Sequence, residues 1–305
     1  MYGGTCTNIG CVPTKTMLVD SEHGVGYEDS VTHRDGFIAP LNNVSRQLAD
    51  AAEVIVIGVH ATFTAAHSVV VTGGDEALAI TADTIIINTG SVPVILDIPG
   101  VDSKRVIDST QAQHLPEKPE SSVVFGGETF GAKFDADVAE VFKADLEAKD
   151  ITIINSADVE SVKDTADGNT DGITVVYSGG KTIDASYALF GIGRRPATDD
   201  LGLDAAGINT TERGAIEVDE HLRTNIDGVY AADDVNGGPQ FTYVSYDDHR
   251  VILSDRWGDG KRVTTDRLIP TMTFINPPLS TIGMGEKDAR EDAAARGHSV
   301  DVRFT

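Results

Sequence analysis

The 305-residue chain holds two cysteines, and both fall within its first eleven residues. They sit in the run Gly3-Gly4-Thr5-Cys6-Thr7-Asn8-Ile9-Gly10-Cys11-Val12-Pro13-Thr14-Lys15. That spacing restricts the backbone. Five residues of regular helix rise about 7.5 Å, past the ~7 Å limit on Cα separation for a disulfide. One ideal helix therefore cannot carry both cysteines and let them pair. Asn8 and Gly10 allow a non-helical turn between them, and Pro13 suits the first turn of a following helix. Cys11 is then expected near a helix N-terminus with Lys15 one turn on, two features that favour the nucleophilic thiolate. Spacing alone leaves two readings open, a redox pair or two buried, inert thiols.

The longer string GGTCxNxGCxPTK resembles the active-site motif of the class I pyridine nucleotide–disulfide oxidoreductases. That family includes glutathione reductase, dihydrolipoamide dehydrogenase and mercuric reductase. The resemblance implies a reaction in which NAD(P)H reduces FAD, FAD reduces a disulfide, and the dithiol or flavin reduces a substrate. By the same resemblance Cys11 would face the flavin and Cys6 would be the outer interchange thiol. Gly4, Thr5 and Lys15 would lie along the flavin.

Composition narrows the class. The length suits two domains, and 40% apolar residues can fill a core. No apolar run approaches 18 residues, and no signal peptide is visible in the first twenty, so no membrane partner is expected. The balance of 24 basic against 48 acidic residues, net −24, argues against nucleic acid. It fits a strongly solvated surface or a salt-adapted source. A dithiol that cycles fits a reducing cytoplasm. Two thiols without a nearby histidine make a poor metal site, so none is expected.

Hydrophobic periodicity places the elements. A short helix over 14–23 continues the cysteine motif. Residues 41–53 read as a helix with Leu41, Val44, Leu48 and Ala52 on one face. Strands are expected over 53–59, 68–72, 79–81 and 84–88, with Gly73-Gly74-Asp75 as a hairpin turn and 84–88 buried. After a linker at 116–120, strand 122–125 runs into Gly126-Gly127-Glu128-Thr129-Phe130-Gly131. A helix over 137–149 turns Val138, Val141, Phe142 and Leu146 inward. Strands follow at 152–155, 159–162, 173–177 and 181–184, with Gly179-Gly180 as a turn, and a helix spans 245–257. His221 and His249 read as surface residues.

Several of these landmarks resemble the family's. Thr89-Gly90-Ser91 is similar to the turn that passes the flavin groove, and Gly193-Arg194-Arg195-Pro196 to the edge of the nicotinamide domain. Asp233-Asp234-Val235 resembles the second FAD motif, which would put Asp234 on the ribityl chain and Val235 beside it. Gly126, Gly127, Gly131 and Gly193 would serve NAD(P). The stretch 237–250 resembles the bacterial flavoprotein reductases linked to reactive-chlorine resistance. The implied fold is α/β: an incomplete FAD/NAD(P)-binding Rossmann-like two-domain fold with β-meander insertions and the start of an α+β interface domain. Residues 1–117 and 187–262 would form the FAD domain, 118–186 a shortened NAD(P) domain, and 263–305 the beginning of a dimerisation domain. The intact family forms homodimers acting on disulfide or small-molecule substrates.

The chain also departs from the pattern. It starts at the cysteine motif, without the family's preceding GxGxxG unit, and it stops inside the interface domain. Glu128 replaces the loop glycine that lets backbone approach a pyrophosphate, and Gly126-Gly127 reads equally as a plain turn. No second strand carrying an acidic or basic selector is expected about 20 residues beyond Gly131. Asp233 replaces a glycine. Two functions are therefore weighed, an FAD-dependent disulfide oxidoreductase and a non-catalytic remnant or partial chain of one.

Overall fold

A computed structural model of the chain describes residues 2–73, 77–119, 122–125, 127–165, 172–265, 267–275 and 277–303. Gly126 and the turn residues Gly74 and Asp75 lie outside them. The chain divides into two compact units: Met1–Ile95, Asp108–His114 and Phe190–Arg267, and Leu96–Ile107, Leu115–Leu189 and Leu268–Thr305.

The first unit begins with three helices, α1 (Gly4–Asn8), α2 (Cys11–Glu22) and α3 (Tyr27–Ala51). The helix expected at 41–53 thus starts fourteen residues earlier. Gly36 and Pro40 disguise it, because Pro40 has no N–H for the Gly36 carbonyl one turn back. Its seam of Leu41, Val44 and Leu48 is exposed.

A meander of β1 (His60–Ala65), β2 (Ser68–Thr72) and β3 (Ala77–Thr81) follows, antiparallel throughout. The strand expected at 53–59 is absent. Val54 to Val59 run without a ladder partner, and Ile55 is 87% exposed. β-branched residues favour extended backbone, but only a paired neighbour makes it a strand. β4 (Ile85–Ile87) and β5 (Ser91–Pro93) complete this segment. Ile87 is buried but Ile86 is half-exposed, so the expected buried strand is covered on one side only.

In the second unit β6 (Val106–Asp108) precedes α4 (Ser109–Ala112), a short helix that belongs to the first unit. Then come β7 (Ser122–Phe125), α5 (Ala136–Glu147) and β8 (Ile151–Ile154). β7 and β8 pair in parallel from Ser122↔Ile151 to Phe125↔Ile154, a βαβ unit. A second strand therefore does follow the glycine loop, and it ends ahead of Asn155-Ser156 rather than at a charged side chain. In α5 Ala139 is buried and Val141 is exposed, against the inward place expected for Val141. β9 (Val159–Asp164), β10 (Ile173–Tyr177) and β11 (Lys181–Ala185) form an antiparallel meander, and β12 (Ala188–Phe190) pairs with β6.

The first unit resumes with β13 (Arg194–Pro196), paired with β5, then α6 (Leu203–Ala206) and β14 (Val229–Ala231). β14 lies parallel to β4, Val229↔Ile85 to Ala231↔Ile87, and is buried on both faces. Its alternation explains why. Val229 and Ala231 join Phe63, Ile87, Ile216 and Val235 in one core cluster, while Tyr230 and Ala232 join Leu222, Val251 and Ile252 in another. A 3-10 turn at Asp233–Asn236 leads to α7 (Thr242–Trp257). β15 (Thr271–Thr273), β16 (Leu279–Thr281) and α8 (Glu286–Ala295) close the second unit. Among the described residues no helix is long and apolar enough to cross a membrane.

Candidate functional site

The cysteine run breaks where its composition expects. α1 carries Cys6 and ends at Ile9, whose φ of −132° leaves the helical region. Gly10, at φ −104° and ψ −93°, caps α2, and Cys11 is the first residue of α2. Pro13 falls in the first turn and is buried. Both thiols are free and half-buried. The two thiols are close enough to act on each other's ionisation, and Thr242, the first residue of α7, lies 3.4 Å from Cys11 Sγ through its Oγ1. Burial pushes the Cys6 thiol up from its ordinary value. The Thr242 hydroxyl pulls it down, the neighbouring Cys11 raises it further, and the Lys15 charge lowers it slightly.

The segment is tied to α3 by neutral amides. Asn8 Nδ2 donates to the carbonyls of Tyr2 (2.9 Å) and Gly4 (2.8 Å), and Asn42 Nδ2 donates to Asn8 Oδ1. Tyr2 N donates to Asn42 Oδ1 at 2.7 Å, and Arg46 reaches the Tyr2 hydroxyl. Asn8 lay within the recognised string, but nothing local marked Asn42 or Thr242.

A second group lies on the loops after β4 and β14. Gly90 has φ +71°, and a Cβ there would meet only Asp233 Oδ2, at 3.6 Å. Thr89 Oγ1 donates to Ala197 O at 2.8 Å. Ser91 Oγ donates to Asp234 Oδ2 and itself accepts from Arg194 Nε at 2.8 Å. Asp234 is thus held by a buried hydroxyl that an arginine orients. Val235 is wholly buried in the core. Asp233 adopts φ +66°, the left-handed region that suits glycine. Its amide donates to the buried Asp248 of α7 at 2.7 Å, and Asp248 also accepts from Arg267 Nη1 at 2.7 Å. Burial, then the charge of Asp234, pushes the Asp233 carboxyl up. α7 thereby touches both groups, Cys11 through Thr242 and the aspartate loop through Asp248.

In the second unit Gly127 is exposed, and its carbonyl accepts from Ser156 N at 2.9 Å. Gly131 has φ +69°, and a Cβ there would lie 3.0 Å from that of Ala139, so the loop packs closely on α5. Glu128 is exposed, and Asp135 and Asp137 stand at the start of α5. Gly193, by contrast, belongs to the first unit, and it has φ +112° with open space around it.

Of the two histidines read as surface residues, His249 is exposed, but His221 is not. Its Nδ1 is buried without a hydrogen-bond partner, 3.8 Å from Asp255. Asp255 accepts from both Arg223 and Tyr230, so this cluster holds α7 to β14. Among the described residues no group of three or more His, Cys, Asp or Glu could hold a metal ion.

A Rossmann-like α/β fold whose vicinal thiols meet at a helix start defines a flavoprotein-type disulfide reductase. The family model for pyridine nucleotide-disulphide oxidoreductases matches residues 1–132 and 127–248, and the chain belongs to that family. It is 35% identical over 321 residues to the probable pyridine nucleotide-disulfide oxidoreductase RclA of Escherichia coli K12, covering 96% of this chain and 72% of that protein. The dihydrolipoyl dehydrogenase of Geobacillus stearothermophilus is 30% identical, with 95% and 70% covered. The mercuric reductase of Staphylococcus aureus is 28% identical, with 95% and 60% covered. The solved structure of the HOCl-induced flavoprotein disulfide reductase RclA from E. coli superposes with a TM-score of 0.88 at 34% identity, covering 95% of this chain and 71% of that one. Its Cu(II) complex gives 0.90.

Proposed function

We propose that Cys6 and Cys11 form the dithiol–disulfide centre of an FAD-dependent oxidoreductase that delivers two electrons to a disulfide, an oxidant or a metal ion. The observation that carries this reading is the proximity of the two thiols across a helix break, with Cys11 at the start of α2. The Cys6 thiolate attacks a substrate S–S bond and releases one thiol. Cys11 then displaces the second, leaving a Cys6–Cys11 disulfide and two reduced substrate thiols. Lys15 and the Thr242 hydroxyl favour the Cys6 thiolate against the cost of its burial. The Cu(II) complex of the E. coli relative supports a metal ion among the acceptors, since thiolates are soft ligands.

The residues of the first unit fit a flavin. Gly4 and Gly90 have positive φ with open space or one light contact at the Cβ position, and Asp234 is an oriented acceptor. Gly4, Thr5, Lys15, Thr89, Gly90, Asp234 and the backbone of Val235 would hold it. When bound, FAD would relay electron pairs between a nicotinamide and the disulfide. The chain's part is to fix the sulfurs and to hold the cofactor's hydroxyl and phosphate groups.

The second unit fits a dinucleotide less well. Its βαβ unit and Gly131 suit one, but Glu128, Asp135 and Asp137 put carboxylates where a pyrophosphate would approach α5. No step is assigned to Gly126, Gly127, Gly131 or Gly193. These carboxylates favour the second reading, a chain that keeps the thiol centre but does not turn over with NAD(P)H. The reading of residues 1–117 and 187–262 as the FAD domain, 118–186 as the NAD(P) domain and 263–305 as the start of a dimerisation domain rests on the family pattern. So do a homodimer and a cytoplasmic location.

The test is a visible spectrum of the purified chain after FAD addition and gel filtration. Retained flavin absorbance that bleaches with NADH or NADPH supports turnover. Retained flavin without bleaching supports the second reading, and no retained flavin overturns the cofactor assignment. In Cys6→Ser a bound flavin should stay reducible while disulfide reduction stops.

A further inference from the structure

Between the two cysteines the chain passes from α1 to α2 at Ile9 and Gly10. Both of their amides donate to Thr5 O, at 2.9 and 2.7 Å. The Ile9 carbonyl is in a different position. Its partner in a continuous helix would be the amide of residue 13, but residue 13 is proline and has no N–H. A carbonyl at such a break needs a donor from elsewhere. Gln113 supplies it. Its Nε2 donates to Ile9 O at 2.7 Å and lies 3.3 Å from Thr14 Oγ1 on α2, so one amide group spans the hinge.

Gln113 is itself fixed. It is the C-cap of α4, whose N-cap Asp108 and Gln111 form a reciprocal capping box. Its carbonyl accepts from Nη1 of Arg34, which is 1% exposed. Arg34 Nη2 lies 3.2 Å from His114 Nδ1, and its Nε donates to Asp35 Oδ1 at 2.9 Å. A buried guanidinium on α3 thus holds the residue that holds the hinge. Arg34 and Gln113 lie 79 residues apart, and Gln113 and Ile9 lie 104 apart.

Resting on the redox reading of Cys6 and Cys11, the geometry points to Gln113 as the positioning residue that sets the reduction potential of the pair. The Gln113–Ile9 bond is made in the dithiol form. Closing the pair brings the sulfurs to about 2.05 Å, and the Gln113 amide, bonded to Ile9 and near Thr14, opposes a movement of α1 against α2 at that hinge. The bond therefore favours dithiol over disulfide. A net hydrogen bond of ordinary strength corresponds to about a 3- to 10-fold change in the equilibrium constant.

The experiment equilibrates the full chain with mixtures of glutathione and glutathione disulfide, then traps and counts the free thiols. In the exchange Cys6 and Cys11 lose two electrons and two protons and gain an S–S bond. The S–S bond of glutathione disulfide breaks and yields two glutathione thiols. Gln113→Met keeps the size and removes the donor, and Gln113→Glu is a second variant with the same loss. Both are expected to shift about 3- to 10-fold toward the disulfide, roughly 15–30 mV more negative at 29.6 mV per tenfold. Thermal unfolding run in parallel separates a stability loss from a potential shift. If the wild-type pair titrates but the folded variants keep its midpoint within twofold, the role of Gln113 is refuted. If the wild-type pair never closes, the redox reading of the cysteines is what fails.

Discussion

The amide of Asp233 donates to the buried carboxylate of Asp248 at 2.7 Å while Asp233 itself sits at φ +66°. The aspartate loop is therefore held in a glycine-like conformation by a contact from α7. The left-handed region costs a side-chain-bearing residue on the order of 1 kcal/mol, less for aspartate than for most. Asp233→Gly keeps the amide bond and removes that strain and one charge beside Asp234. It is expected to raise stability by roughly 1 kcal/mol, a Tm gain of about 2–4 °C by calorimetry. An unchanged or lower Tm would show that the loop is not strained.

The same residue gives a pH signature. Burial and Asp234 raise the Asp233 carboxyl, so the folded state holds its proton more tightly than the unfolded chain. This contribution is full below the ordinary carboxylate value of 3.8 and disappears as pH rises through the folded value. Asp233→Asn should gain stability over wild type across that interval and keep the gain at pH 7. Urea melts from pH 3 to 7 measure the difference.

Asp255 behaves in the opposite sense. Arg223, then Tyr230, holds its carboxyl below the ordinary 3.8, so its contribution is present above that value and is lost as pH falls through the folded one. Asp255→Asn leaves Arg223 and Tyr230 with a weaker acceptor and should cost about 1–3 kcal/mol at pH 7. The gap to wild type should close in acid. A gap that does not begin to narrow as pH falls below 3.8 would mean that packing, not charge, sets the loss.

At the thiols, Thr242→Val removes the hydroxyl that lowers the Cys6 value. The Cys6 alkylation profile with iodoacetamide should move to higher pH, with a several-fold slower rate at pH 7. The same rate as wild type would remove Thr242 from the site.

Gly228 precedes β14 at φ +74°, and a Cβ there would lie 2.4 Å from Asp83 O. Ile85 N also donates to Gly228 O at 3.0 Å, next to the parallel β4–β14 pair. Gly228→Ala is expected to cost about 2–4 kcal/mol, through strain and the displaced carbonyl. Gly180→Ala, also at positive φ but in open space, should cost only about 1 kcal/mol. Chemical denaturation of both variants compares them directly.

Much of the cysteine site could be read locally. A helix cannot pair thiols five residues apart, glycine permits the break, and proline suits the restart, so the hinge at Gly10 and the start of α2 followed from adjacent residues, whereas the helical turn α1 that carries Cys6 and Asn8 did not. The strands at 68–72 and 173–177 were legible for the same reason, since alternation and turn residues are short-range signals. Local pattern and structure part where a partner decides. Val54 to Val59 have strand composition but no ladder, and Leu41, Val44 and Leu48 have a helical seam that faces solvent. Composition reports a preference for burial or extension. Burial itself depends on what packs against the segment.

The sequence by itself determined the family, through the motif that the first fifteen residues resemble, and it determined the break between the two sulfurs, because that rests on backbone sterics within a few residues. Only the tertiary structure decided what surrounds the sulfurs. Thr242 comes from 231 residues away and Gln113 from 104 residues beyond Ile9. It also decided that Asp233 is held in a left-handed turn by Asp248, and that carboxylates stand at the start of α5. Hydrogen bonds and charge contacts across such separations depend on how helices and sheets pack, and no local pattern encodes them.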